Sequence, residues 1–349
     1  MLMLLLCGCA PRESALEARL VQHSNDVLAE AGATPPTQTS SEELLQRAAL
    51  LLQMPSGSTT GALEAVQDLF ERLDPVWGGL LTTDTDQLDR RTDAALLQEQ
   101  ALALVVFEHA YQRSGEQRFR NAFDQVDAFV QDRLRSGQGN AAALGYAHAL
   151  RAAPDRLPGH VSVARYWQLR RSHERRELGL PALAGEATAV DLAALGRAYL
   201  VRAQVSDGRR YRDEALRLAT ALAKPSWQLT PCEALAPTLV LWQMLESGLE
   251  TSPAWQQRKA QLLAEHDLAG RASEHCDNPG VLSAVAHWLA LQRQPEAARA
   301  TLDMLLDRPP GAAQVPWLAA LAQAWAVYAV LEARRDGAPA GEERTNSER

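Results

Sequence analysis

The chain has 349 residues, 46% of them apolar and 22% charged, with a net charge of −8. That apolar share supports a sizeable core and excludes a chain that is disordered throughout. The acidic balance excludes a nucleic-acid footprint, which needs a clustered basic excess. Ala, Leu, Arg, Gln and Glu dominate, isoleucine is absent, and lysine occurs only at Lys224 and Lys259. The dominant types are strong helix formers, and strand-like alternation is almost missing, so an all-α fold is predicted. The preference for Arg over Lys reads as coding bias rather than as function.

The first residues run Met1-Leu2-Met3-Leu4-Leu5-Leu6-Cys7-Gly8-Cys9. An apolar run closing on small residues and a cysteine resembles the lipobox of bacterial lipoproteins, in which a cysteine is acylated after cleavage. The resemblance makes Cys9 the lipidated residue. It implies a membrane partner held through a lipid anchor and a periplasm-facing site, at the outer membrane because Ala10 is not an aspartate. The run lacks a basic start and falls far short of the ~20 apolar residues of a spanning helix.

Residues 11–32 carry Leu16, Leu20, Val21, Val27 and Leu28 at helical spacing, followed by a Pro/Thr/Ser linker to Ser40. Ser40-Ser41-Glu42-Glu43 is a capping box that opens a helix through about Leu52. A further helix is predicted over 61–73. The turn Asp74-Pro75-Val76-Trp77-Gly78-Gly79-Leu80 interrupts it, because Pro75 and the paired glycines forbid continuous helix. A polar loop with Asp84, Asp86 and Asp89 follows. From Thr92, Leu96, Leu97, Ala101, Leu104, Val105, Phe107 and Tyr111 mark a helix that Gly115 ends. Phe119, Phe123, Val126, Phe129, Val130 and Leu134 mark the next one. So short a junction makes the pair an antiparallel hairpin.

The hairpin recurs. Ser114-Gly115-Glu116-Gln117-Arg118-Phe119-Arg120 has a counterpart in Ser206-Asp207-Gly208-Arg209-Arg210-Tyr211-Arg212 and a weaker one at Leu291-Gln292-Arg293-Gln294-Pro295-Glu296. Repeated hairpins imply a solenoid or a closed ring, since one hairpin cannot bury its own face. Between the copies, residues 140–152 are predicted as helix, 160–176 as helix-compatible, and 178–186 as loop. Later helices are predicted near 232–247, 253–268, 280–293, 295–306 and 314–334, which brings the total to about thirteen or fourteen. The domain reading is a signal-like segment at 1–9, an N-terminal helix and linker at 10–40, the helical body at 41–334 and a disordered tail at 335–349.

Asp74, Pro75, Trp77, Gly78, Gly79, Ala110, Tyr111, Gly115, Arg118 and Phe119 carry a resemblance to a protein group with an N-terminal thioredoxin-like domain and a C-terminal (α/α) six-hairpin toroid. That toroid is akin to the N-acylglucosamine 2-epimerase and six-hairpin glycosidase folds. The resemblance implies a toroid. The thioredoxin domain is missing, Asp89-Arg90-Arg91-Thr92-Asp93 stands where the group has His-Phe-Glu-Lys, and Ala189-Val190-Asp191 replaces Trp-Asn-Gly. An open superhelix of the tetratricopeptide type is the alternative architecture.

Two ligand-site candidates follow. Trp77 with Asp84, Asp86 and Asp89 combines a sugar-stacking ring with acid–base carboxylates. The structural alternative is a connecting turn with solvated acids. His160, Tyr166 and Trp167, near His173 and Glu174, form a second cluster; here Trp167 is more readily core, and the flanking arginines a solvated face. His109 and His148 are read as core or interface histidines within helices. With Cys9 acylated, Cys232 and Cys276 are left either to pair in an oxidising compartment or to stay reduced. No metal-ligand spacing, phosphate-cradling glycine loop or nucleophile elbow occurs, so no metal or cofactor is expected. The leading function is a non-catalytic binding or scaffold role in the cell envelope. A carbohydrate-active enzyme, epimerase or hydrolase, is the alternative, and a protein-interaction module the third reading; the partner would be a carbohydrate or a protein, with no nucleic acid.

Overall fold

The computed structural model describes residues 15–32, 41–53, 59–82, 93–135, 144–204, 208–230, 234–248, 252–265 and 279–309, together with 320, 321, 324 and 326–329. The signal-like segment with Cys9, the acids Asp84, Asp86 and Asp89, both Cys232 and Cys276, and the tail lie outside the described residues.

The helices are α1 (Ala15–Gly32), α2 (Ser41–Gln53), α3 (Thr59–Phe70), α4 (Leu97–Ser114), α5 (Gln117–Phe129, extended by a wider turn over Val130–Leu134), α6 (Val163–Gln168), α7 (Ser172–Glu177), α8 (Ala189–Ala203), α9 (Arg209–Leu222), α10 (Ala236–Ser247), α11 (Pro253–Glu265), α12 (Pro279–Leu291) and α13 (Pro295–Leu306). Residues 320–329 are helical wherever they are described. The predicted hairpins form: α4 packs on α5, α8 on α9 and α12 on α13; α2 packs on α3 in the same way. Gly115 closes α4 in the left-handed conformation (φ 70°), its N–H returning to the Tyr111 carbonyl. Glycine is suited to that position because it lacks the Cβ that left-handed backbone crowds.

One helix of each pair lies inside. α2, α4, α8, α10 and α12 pack side by side in that order. Along α8 from Ala189 to Arg202 every residue is buried except Val190, Ala194, Arg197 and Val201, a single stripe at helical spacing. Gln98, Leu102 and His109 form the matching stripe on α4. A helix covered on all sides but one narrow line is surrounded by partners and faces a confined passage. The inner helices run parallel. Arg202 and Glu108, each late in its helix, form a buried ion pair at 2.5 Å between α8 and α4. Gly196 admits Leu241 of α10, two of whose methyl carbons would lie within 2.8–3.0 Å of any Cβ there. The outer helices return antiparallel, so the inner helices begin, and the outer helices end, at one end of the ring.

Among the described residues, a sheet at that end departs from the all-helical pattern. β1 (Asp93–Leu96), β2 (Ala147–Arg151) and β3 (Leu183–Glu186) form an antiparallel sheet in the order β1-β2-β3. Ala95 pairs with Leu150 and Ala149 with Ala184. The sequence predicts helix over 140–152; the structure places β2 there, and with it His148 on a strand instead of within a helix. Alanine-rich composition favours helix only weakly, and pairing with the strands that lead into α4 and α8 overrides it. The predicted loop 178–186 likewise contains β3, and the segment 160–176 divides into α6 and α7.

A polar network binds the end of α5, α8, α9 and Tyr146, the residue before β2. Tyr199 donates to Asp127 (2.9 Å), Gln131 donates to Tyr199 (2.6 Å) and to Tyr146 (3.0 Å), and Tyr146 donates to Glu214 (2.8 Å). Burial raises the Asp127 carboxyl above its ordinary range.

Two histidines are held neutral by the fold. Burial, and then the Arg197 charge, bring the His287 pKa down from 6.5 to about 3. Burial, and then Arg113, bring His109 to about 4. Below pH 6.5 the unfolded chain takes up protons that these folded rings refuse, so their contribution is complete above pH 6.5 and is lost as pH falls toward 3. His287→Leu removes one of these groups. Between pH 7 and pH 5 that variant should lose about 2 kcal/mol less stability than the wild type. Urea unfolding at the two pH values checks this; equal acid losses in both proteins would refute it.

Candidate functional site at the sheet end of the ring

The turn with Trp77 joins outer helix α3 to β1. It closes on itself: the Asp74 N–H donates to the Gly79 carbonyl and the Gly78 N–H to the Asp74 carbonyl, both at 2.8 Å. Gly78 has φ 83°, and a Cβ there would sit 2.8 Å from the Gln125 carbonyl, so the position needs glycine twice over. Gln100 of α4 fixes the turn from below, donating to the Leu80 carbonyl (2.7 Å) and accepting from its N–H (2.8 Å).

Asp74 is fully buried, and so is its partner Arg175 of α7 at 2.7 Å. Arg175 also donates to the carbonyls of Trp167 (2.7 Å) and Leu169 (2.8 Å). Its guanidinium lies 4.9 Å from the Trp77 ring, 5.1 Å from Trp167 and 5.7 Å from Tyr166. The three aromatics singled out in the sequence therefore do come together, but around an internal arginine. Tyr166 and Trp167 are core residues. The Tyr166 hydroxyl donates to the Gly179 carbonyl (3.0 Å) and the Trp167 indole to the Ala152 carbonyl (2.5 Å). Trp77 keeps partial exposure, with the Arg133 guanidinium 4.4 Å from its ring. His160 is exposed on the loop before α6, outside this cluster.

Sequence reasoning missed Arg175, which looks like one of several surface arginines until Asp74, distant in the chain, is brought beside it. Breaking the pair leaves an uncompensated buried charge. Asp74→Ala should lower unfolding free energy by about 3–5 kcal/mol, and the Asp74→Leu/Arg175→Met double variant by much less. Urea denaturation of both decides this; a double variant as unstable as the single would contradict the assignment.

A second cluster lies where β1, β2 and α8 meet. Thr188 caps α8, its hydroxyl accepting from the Asp191 N–H (3.2 Å), and Asp191 answers by accepting from the Thr188 N–H (2.7 Å). The same carboxylate oxygen accepts from the Thr188 hydroxyl (2.9 Å) and from His148 Nδ1 (2.9 Å). The other oxygen, Oδ1, is buried with no hydrogen-bond partner among the described residues. Asp191 is fully buried, while the His148 side chain is 38% exposed. The hydrogen bond to Asp191 raises the His148 pKa, partial burial opposes it, and the charges of Asp191 and Asp93 add to the rise. An ionised carboxylate only accepts, so Nδ1 carries the proton and Nε2 is left to exchange one. The sequence signal was available: Thr188-x-x-Asp191 before an apolar run is a capping box.

Thr82 is tied to β1 at the same place. The Thr82 N–H donates to the Ala94 carbonyl (2.8 Å) and the Thr82 hydroxyl to the Asp93 carbonyl (3.3 Å). No group of three or more metal-ligating side chains occurs among the described residues.

Comparison with solved structures matches this ring to the crystal structure of a family 76 glycoside hydrolase from a bovine Bacteroides thetaiotaomicron strain. The TM-score is 0.54 at 10% identity, over 92% of this chain and 78% of that one. The fold is an α/α toroid. No family model matches the chain, and no curated protein matches it. At that identity the toroid likeness establishes architecture, and the chemistry must be argued from the toroid's own residues.

Proposed function

We propose that this toroid is a carbohydrate-active protein of the bacterial cell envelope, anchored through acylated Cys9 and periplasm-facing at the outer membrane. Its site is at the sheet end. The observation that carries the reading is the His148–Asp191 pair. A half-exposed imidazole, oriented by a fully buried carboxylate and raised in pKa, stands beside Asp93. The family 76 glycoside hydrolase supports it as a protein of the same architecture named for glycosidic-bond cleavage.

In this reading protonated His148 is the general acid and gives its Nε2 proton to the leaving glycosidic oxygen. Asp93, or one of Asp84, Asp86 and Asp89, acts as the carboxylate that accepts a proton from the attacking water. The water adds to the anomeric carbon as the glycosidic bond breaks, and the two protons balance. Around the histidine itself, Asp93 and Asp191 favour neutral or amino sugars over uronates. One observation favours a non-catalytic binding role instead: Asp191 has a structural duty in the α8 capping box, and the histidine then serves to fasten β2 to that helix.

The test incubates the full chain with neutral and amino-sugar polysaccharides and measures both bound glycan and released reducing ends. Wild-type cleavage that drops on the order of a hundredfold or more in His148→Ala supports the acid assignment. Cleavage should also decline on the alkaline side, as pH rises through the raised histidine pKa. Binding without cleavage, unchanged in His148→Ala, selects the binding role, and neither binding nor cleavage across the panel overturns the proposal.

A further inference from the structure

We propose that the sheet end of the ring is a membrane-docking face that rests on anionic phospholipid headgroups. The inference builds on the proposed acylation of Cys9, and three further observations point the same way.

The first is where the chain enters the ring. α13 is antiparallel to α12, so its last turn lies at the sheet end. Arg19 of α1 is tied to that turn, with Asp303 at 2.5 Å and Asp307 at 2.7 Å. The six residues from Cys9 to Ala15 can span at most about 20 Å. An acyl chain on Cys9 therefore holds this end, and not the opposite one, close to the bilayer.

The second is charge. The chain carries a net −8, yet residues 151–180 hold seven arginines against three acids. Arg175 is buried against Asp74. Arg156, Arg165, Arg170, Arg171 and Arg176 are exposed, all within the excursion between β2 and β3. Beside them Arg133 stacks on half-exposed Trp77, and its Nε is buried without a hydrogen-bond partner among the described residues. Arg171 reaches Glu174 at 3.8 Å, but the arginines of the excursion outnumber its acids, and that excess favours an external anion.

The third is apolar exposure. Among the described residues the large hydrophobics standing open to solvent are Leu180, 46% exposed, and Met304, 38% exposed. Leu180 lies in the same excursion, and Met304 lies in the last turn of α13 next to Asp303. Both are at the sheet end. Apolar side chains set among arginines match the boundary between headgroups and acyl chains.

The experiment uses the full chain carrying Cys9→Ser, which cannot be acylated, and sucrose-loaded vesicles of phosphatidylcholine with or without about one third phosphatidylglycerol. The chain should sediment with the anionic vesicles, not with the neutral ones, and added salt should release it. The Arg170→Ser/Arg171→Ser/Arg176→Ser variant should partition on the order of a hundredfold less. Leu180→Ser should weaken binding severalfold, and Arg118→Ser/Arg209→Ser at the opposite end should bind as the parent does. Absence of sedimentation with anionic vesicles at low salt overturns the proposal. So does equal loss in the opposite-end variant, which would indicate a diffuse charge effect. Mass analysis of the N-terminal peptide from wild-type membranes tests acylation separately. An unmodified Cys9 beside retained vesicle binding overturns the anchor reading and leaves the docking face standing. Retained docking with no glycan handled overturns only the proposed activity.

Discussion

The buried pair between Asp74 and Arg175 organises the sheet end of this protein. Its two charges are far apart in the chain and lie at 2.7 Å with no exposure. Removing both from water is costly, and the cost is offset only when every donor and lone pair finds a partner. Arg175 meets that condition through Asp74 and two backbone carbonyls, with three aromatic rings around it. The pair thereby holds the α6–α7 excursion against the Trp77 turn. Everything further out, from the exposed arginines to Leu180, takes its position from that contact.

The ring supplies the rest of the geometry. Parallel inner helices present their N-terminal ends together, and each brings a partial positive charge from its unpaired N–H groups. Carboxylates are stabilised there. Asp191 in the first turn of α8 is the example: the helix that it caps also sets the oxygen that orients His148. A structural capping box and a proton-carrying dyad share one side chain, so both the binding and the catalytic readings grow from the same contact.

The sheet end thus combines an inner polar cluster of Asp93, His148 and Asp191 with a basic rim around Trp77. The two do not compete. Asp93 belongs to β1, while the arginines belong to the connection between β2 and β3. At the opposite end the described turns at Gly115 and Arg293 are tight hairpin junctions with positive φ.

Much of the ring was legible in the sequence. Apolar spacing located α4 and α5, Gly115 marked their junction, and the repeated Arg-aromatic-Arg after a polar turn disclosed the hairpin repeat, because helix periodicity and turn chemistry are local properties of the chain. Trp77 and the Tyr166–Trp167 pair were legible as two separate candidates, and only the structure brings them together as walls of an arginine box. The sheet was hidden. Ala147, Ala149 and Ala184 carry no strand preference, and they become strands only because the segments ahead of α4 and α8 pair with β2. Arg175 and His148 were equally hidden, since a buried ion pair or an oriented imidazole is defined by a partner far away in sequence. Composition and periodicity by themselves determined a helical hairpin protein; the tertiary structure alone decided which charges are buried, which histidine is oriented and which end of the ring holds them, because those depend on contacts that no local pattern encodes.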